Sequence, residues 1–199
     1  EIITSDWSSD VCSSDLHPSM HETCEDRNSA APGTHLRAML LAALLAAAAV
    51  LLAPFSFPVG PSRCFPFQHT INAVAGVLLG PWWAVGSAFV ASLIRYATGM
   101  GTILAFPGSL FGALAVGLAA RTVLRGQGVG AWAALAEPCA TGTLGAFTAA
   151  LIVSPGAVGG MFATLSAAFL ISSVPGALLG LVLVRGLEKR LRGTAKAAE

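Results

Sequence analysis

The chain has 199 residues, a formal charge of +1 and a mean hydropathy of +0.74; 55 % of its residues are hydrophobic and only 11 % charged. Soluble domains carry about 25 % charged residues, so the balance excludes a soluble globular domain, a disordered chain and a nucleic-acid binder. Its 22 glycines and single tyrosine suit closely packed membrane helices.

The first segment stands apart from the rest. Asp6 to Leu16, DWSSDVCSSDL, resembles one reading frame of a common sequencing-library adapter, so residues 1–16 are set aside from the fold. Residues 17–35 read as a polar N-terminal tail, with Met20 as a candidate start. Seven of the ten acids lie in the first 26 residues. From residue 36 onward, ten Lys and Arg face three acids, a surplus of seven. Cys12, Cys24, Cys64 and Cys139 show no C-x-x-C spacing and read as isolated thiols.

A bilayer core of ~30 Å takes ~20 apolar residues as helix. Apolar runs between Gly and Pro breaks predict helices over 36–53, 67–80, 82–98, 102–124, 130–153 and 157–185. Pro54 ends the first, and a Pro-rich polar connection, PFSFPVGPSRCFPF, leads to the second. The fold class is therefore an all-α polytopic membrane protein of six spans over 36–187, with a basic tail at 188–199. Arg185, Lys189, Arg190, Arg192 and Lys196 in that tail, Arg121 and Arg125 between helices 4 and 5, and Arg37 at the start of helix 1 all lie on one side. The positive-inside rule makes that side, and both termini, cytoplasmic. Arg63 and Arg95 break the rule at the outer face.

The second helix has a polar outer end: Gln68, His69, Thr70 and Asn72. Facing lipid, such groups cost several kcal/mol unless satisfied, so they are expected to line an outward cavity. Gln68 and Asn72 share a helix face, as do His69 and Asn72. Glu137 is the only acid from Arg27 to Leu187. A charge near the bilayer centre costs roughly 2.5–3.5 kcal/mol, so Glu137 should face the interior, pair with an arginine or be protonated. Thr141 lies one turn beyond it. No G-x-x-x-x-G-K-[ST], H-E-x-x-H or G-x-S-x-G occurs, so no P-loop, zinc-protease or serine-hydrolase motif is present.

Residues 59–112 carry a specific pattern: VGPSRCFPFQHTIN, then LLGPWWA, then SLIRYATGMGTILAFPGSLFGAL, followed later by LAEPCATGTLGA. Over roughly 36–187 the chain resembles the ThiW family, substrate-binding S components of energy-coupling-factor (ECF) vitamin transporters. Arg63 stands where the family has lysine as often, and Trp83 where tyrosine is common. The resemblance implies six helices and a cavity near the outer face for the thiamine precursor hydroxyethylthiazole. It also implies docking onto a membrane T subunit with two ATPase subunits, in the cell membrane of a prokaryote. ATP would be used by those partners; no cofactor is expected in this chain, which is not expected to be an enzyme.

A small aromatic alcohol needs an aromatic wall and a few polar groups. Candidate walls are Phe65, Phe67, Trp82 and Phe106; candidate hydrogen-bonding groups are Gln68, His69, Asn72 and Glu137, with Arg63 and Arg95 orienting them or closing the cavity. Each has a plainer alternative. Arg95 also fits an interface marker, His69 and Asn72 interhelix bonds, Glu137 an arginine partner, and Phe106 helix-entry geometry. Gly76/Gly80, Gly108/Gly112, Gly156/Gly160 and Gly176/Gly180 read as helix-packing steps. Ala38, Ala42 and Ala46 form a stripe that the resemblance assigns to docking of the T subunit, and that ordinary packing also explains. Competing functions are an S component for another vitamin such as thiamine, an intramembrane enzyme using Glu137 and His69 as acid and base, and a transporter with Glu137 as proton carrier.

Overall fold

The computed structural model describes residues 32–59, 62–123 and 130–196. The adapter-like segment, Met20, Arg125 and the first part of the N-terminal tail lie outside the described residues. Six helical rods follow in order: α1 (Pro32–Leu51), α2 (Pro66–Leu79), α3 (Pro81–Ala97), α4 (Ala105–Thr122), α5 (Gly130–Val153) and α6 (Val158–Lys196). Pro66 and Pro81 each occupy the first position of a helix, where the missing N–H has no helical partner in any case. Gly80 joins α2 to α3 with φ of 83° and ψ of −179°, a conformation essentially reserved for glycine.

Three details depart from the expected elements. The helix starting at Pro32 takes in the end of the predicted tail. The basic tail continues α6 as helix to Lys196, because Leu, Glu, Lys and Arg are good helix formers. The Pro-rich connection contains a short antiparallel hairpin, β1 (Phe57–Val59) and β2 (Ser62–Cys64), with Pro58 opposite Arg63. α5 is also irregular: a 3-10 turn, a short α segment from Ala136 to Ala140, a π turn from Thr141 to Gly145, then α-helix.

Burial runs opposite to that of a soluble protein. The core is largely alanine, including Ala73, Ala91, Ala113, Ala131, Ala146 and Ala177, all essentially inaccessible. Leu44, Leu51, Phe147, Ile171 and Val182 face outward. An apolar exterior of this extent requires apolar surroundings, and small interior residues let backbones approach closely in lipid. The chain is an all-α membrane bundle. Among the described residues, three rods are long and apolar enough to cross a bilayer: Thr34–Leu51, Gly130–Val153 and Val158–Arg190. α2, α3 and α4 are shorter, at 14, 17 and 18 residues.

α2 packs against α6, α4, α3 and α1, and glycines set these contacts. A Cβ on Gly176 would strike the Pro66 carbonyl, and one on Gly180 would come within 2.6 Å of Ala73 Cβ. Gly76 meets Val116 in the same way. The expected step at Gly156/Gly160 is not a packing groove, since neither glycine has a neighbour within 4 Å of its Cβ position. The alanine stripe of α1 faces the bundle. Ala38, Ala42 and Ala46 are 3–7 % exposed, with Ala46 packed beside Ala49, Ile71 and Ala91, while α1 presents Leu36, Met39, Leu40 and Leu44 outward.

Candidate functional site

The hairpin feeds directly into α2, and this junction is fastened to the bundle. Phe65 N–H donates to Ser172 Oγ at 2.8 Å, the Cys64 thiol donates to the Ala168 carbonyl at 3.2 Å, and Arg63 Nη1 donates to the Met100 carbonyl at 3.3 Å. Burial pushes the Cys64 thiol up from its ordinary range, so it stays a neutral donor. Held this way, the hairpin roofs a cavity lined by Arg63, Phe65, Gln68, His69, Arg95, Leu104, Ala105, Gly108, Ser109, Phe169 and Ser172.

Two polar chains run from this cavity into the bundle. In the first, Asn72 Nδ2 donates to the Ser109 carbonyl at 3.2 Å. That carbonyl can only accept, so Asn72 turns its Oδ1 toward Gln68. Gln68 Nε2 donates to that oxygen at 2.7 Å, which leaves Gln68 Oε1 buried without a partner. Ser109 Oγ lies 3.1 Å from Ser92 Oγ, and Arg95 Nη2 donates to the same Ser92 hydroxyl at 3.1 Å. Arg95 is 1 % exposed. Its Nε donates to the Ala91 carbonyl, its guanidinium sits 4.6 Å from the Phe65 ring centroid, and Nη1 has no partner. Its named contacts are therefore neutral oxygens and a ring face. A buried charge in that condition costs several kcal/mol unless something compensates it.

In the second chain, His69 Nδ1 and Glu137 Oε1 are 2.5 Å apart. Thr141 Oγ1 lies 3.2 Å from the same Oε1 and 3.0 Å from the Gly108 carbonyl. Glu137 is fully buried, and its Oε2 has no partner. Gly112 makes the space: a Cβ there would collide with Glu137 Oε1.

Of the residues singled out in the sequence, Arg63, Phe65, Gln68, His69 and Arg95 line the cavity. Asn72 and Glu137 do not; each stands behind a lining residue and holds it. Phe106 is not part of the lining; its ring packs edge-on against Phe89 and Tyr96. Phe67 packs against Phe55, and Trp82 is 71 % exposed. The second aromatic wall is instead Phe169, which the sequence reading missed along with Ser92, Ser109 and Ser172. Ser92 carried a readable signal: it is three residues before Arg95 on one helix face. Phe169 and Ser172 sit in a long apolar run with nothing to mark them.

The hollow is tight. Its cavity volume is about 20 Å³. That is little more than one water needs. An organic occupant requires the lining side chains to draw back.

Neither the curated proteins nor the solved structures contain a match to this chain. A family model described as thiamine-precursor transporter protein (ThiW) matches residues 39–190. That span covers well over half of the sequence, and the chain belongs to the ThiW family.

Proposed function

We propose that the chain is the substrate-binding component of an ECF-type importer, capturing hydroxyethylthiazole at the outer face of a prokaryotic cell membrane. It would hand that cargo inward together with a T subunit and two ATPase subunits. One observation carries the substrate reading: a buried donor, Arg95 Nη1, and a buried acceptor, Gln68 Oε1, both lack partners and belong to residues lining one cavity. Hydroxyethylthiazole brings a ring nitrogen that accepts and a hydroxyl that donates, on a flat ring that Phe65 and Phe169, both in the cavity lining, would flank once the lining draws back. With about nine heavy atoms and a ceiling of about −1.5 kcal/mol per atom, such a ligand can reach nanomolar affinity if well enclosed.

The remaining parts of the reading fit this assignment. Six spans put both termini on one side, and the charge rule makes that side cytoplasmic. The hairpin is then the outward lid over the cavity. Thiamine fits less well, because its fixed positive charge would enter a cavity lined by Arg63 and Arg95 and by no acid. An intramembrane enzyme needs His69 and Glu137 on one reacting atom. The two do touch, but Glu137 lies outside the cavity lining.

Calorimetry on purified protein with hydroxyethylthiazole, thiamine and biotin tests the reading. Binding of the thiazole alone is expected, and no heat or thermal shift at saturating thiazole would remove it as the substrate. Uptake by the chain alone in liposomes, with no ATPase present, would favour the proton-coupled alternative.

A further inference from the structure

We infer that Glu137 is a positioning residue: its carboxylate keeps the His69 ring proton on Nδ1, so that Nε2 acts as an acceptor and the cavity selects an occupant bringing a hydroxyl hydrogen. This rests on the transport reading above and deepens it by giving Glu137 a role in the same site.

The geometry of the pair supports this directly. His69 lines the cavity, and its Nδ1 is taken by Glu137 Oε1, which leaves Nε2 as the ring nitrogen available to an occupant. The tautomer of a neutral imidazole is set by the bond its other nitrogen makes. Charge balance agrees. Arg63 and Arg95 line the cavity, and Glu137 is the only acid between residues 27 and 187.

With the proton on Nδ1, the cavity offers acceptors at His69 Nε2 and Gln68 Oε1, and donors at Arg95. An alcohol satisfies that set; its methyl ether leaves the acceptors unmatched. A protonated Glu137 donating to Nδ1 would invert the pattern and turn Nε2 into a donor.

Two measurements test this, one of them without ligand. Nitrogen-15 spectra of histidine-labelled protein in detergent, with His69→Gln to assign the signal, should show His69 protonated on Nδ1. A ring protonated on Nε2 alone would overturn the inference while leaving the transport reading untouched. Calorimetry then compares hydroxyethylthiazole with its O-methyl ether. Wild type should favour the alcohol by about tenfold or more, the scale of one lost hydrogen bond of about 1.4 kcal/mol. Glu137→Leu should move the ring proton to Nε2 and shrink that preference several-fold. Glu137→Gln, which keeps the volume and an accepting carbonyl, should retain the Nδ1 proton and most of the preference. An unchanged tautomer and preference in Glu137→Leu, or equal losses in both variants with an unchanged tautomer, would refute the positioning role. If wild type binds neither compound, the substrate assignment falls while the spectrum still decides the role of Glu137.

Discussion

The two ends of the bundle use similar materials to different ends. At the hairpin end, Gly112 brings α4 so close to α5 that the Glu137 carboxylate fills the glycine position, and Gly108 lies in ordinary contact with the Phe169 ring of α6. Apart from the exposed Arg63 the polar groups there are buried, and two of the lining residues carry unpartnered atoms. At the opposite end, Gly80 and Gly117 also permit close approach, but what fills the space is the Arg121 guanidinium and the Pro81 backbone. Arg121 Nη2 donates to the Leu79 carbonyl at 3.1 Å, closing the end of α2, and Arg185 lies 4.1 Å from the Trp132 ring centroid. One end spends its arginines on a helix end and a ring face. The other holds polar capacity in reserve around a hollow. An arginine that caps a helix is structural; an arginine buried with a donor to spare points to an occupant.

Breaking the comparison is easiest where both ends depend on one contact. Gly176→Leu places side-chain atoms on the Pro66 carbonyl and His69 Cβ, prising α6 from α2. Overpacking costs about 1–3 kcal/mol and occasionally more, so loss of monodisperse folded protein in size-exclusion chromatography is expected. Arg95→Gln should separate binding from stability. Thiazole affinity falls about 10- to 100-fold, as for loss of a charged hydrogen bond of about 1.5–3 kcal/mol. Thermal unfolding of the ligand-free protein should hold or rise, because a buried charge is gone. Gly80→Ala should do the reverse, costing about 1–3 kcal/mol through a backbone geometry alanine resists and by displacing Arg121. Its melting temperature drops while calorimetric affinity for the thiazole is kept. The smallest effect belongs to Gly160→Ala: with nothing within 4 Å, it should raise the melting temperature slightly, by about 0.5–1 kcal/mol of stability. A drop there would mean that Gly156/Gly160 does pack against something.

Much of the helical layout was legible before any coordinates. Pro54, Gly80–Pro81 and Ser154–Pro155–Gly156 punctuate the chain where rods end, and Gln68, His69 and Asn72 announce a polar face because helical spacing is local. The hairpin was not legible, since its strands, Phe-Pro-Val and Ser-Arg-Cys, are only three residues long, carry a proline at the centre of the first, and so show no alternation. Nor was the π turn after Glu137. The alanine stripe shows the limit of pattern reading: its spacing was correct, yet which side of α1 meets the bundle is not written in the spacing.

The apolar runs and their breaks by themselves determined that this is a helical membrane protein, because lipid forces each spanning segment to satisfy its own backbone. Only the tertiary structure decided that Glu137 meets His69 across 68 positions, that Phe169 and not Phe106 faces the hollow, and that Asn72 aims Gln68 rather than an occupant. Those choices depend on how helices rotate against one another. That rotation is fixed by which glycine admits which neighbour, a property of pairs of helices and not of either one alone.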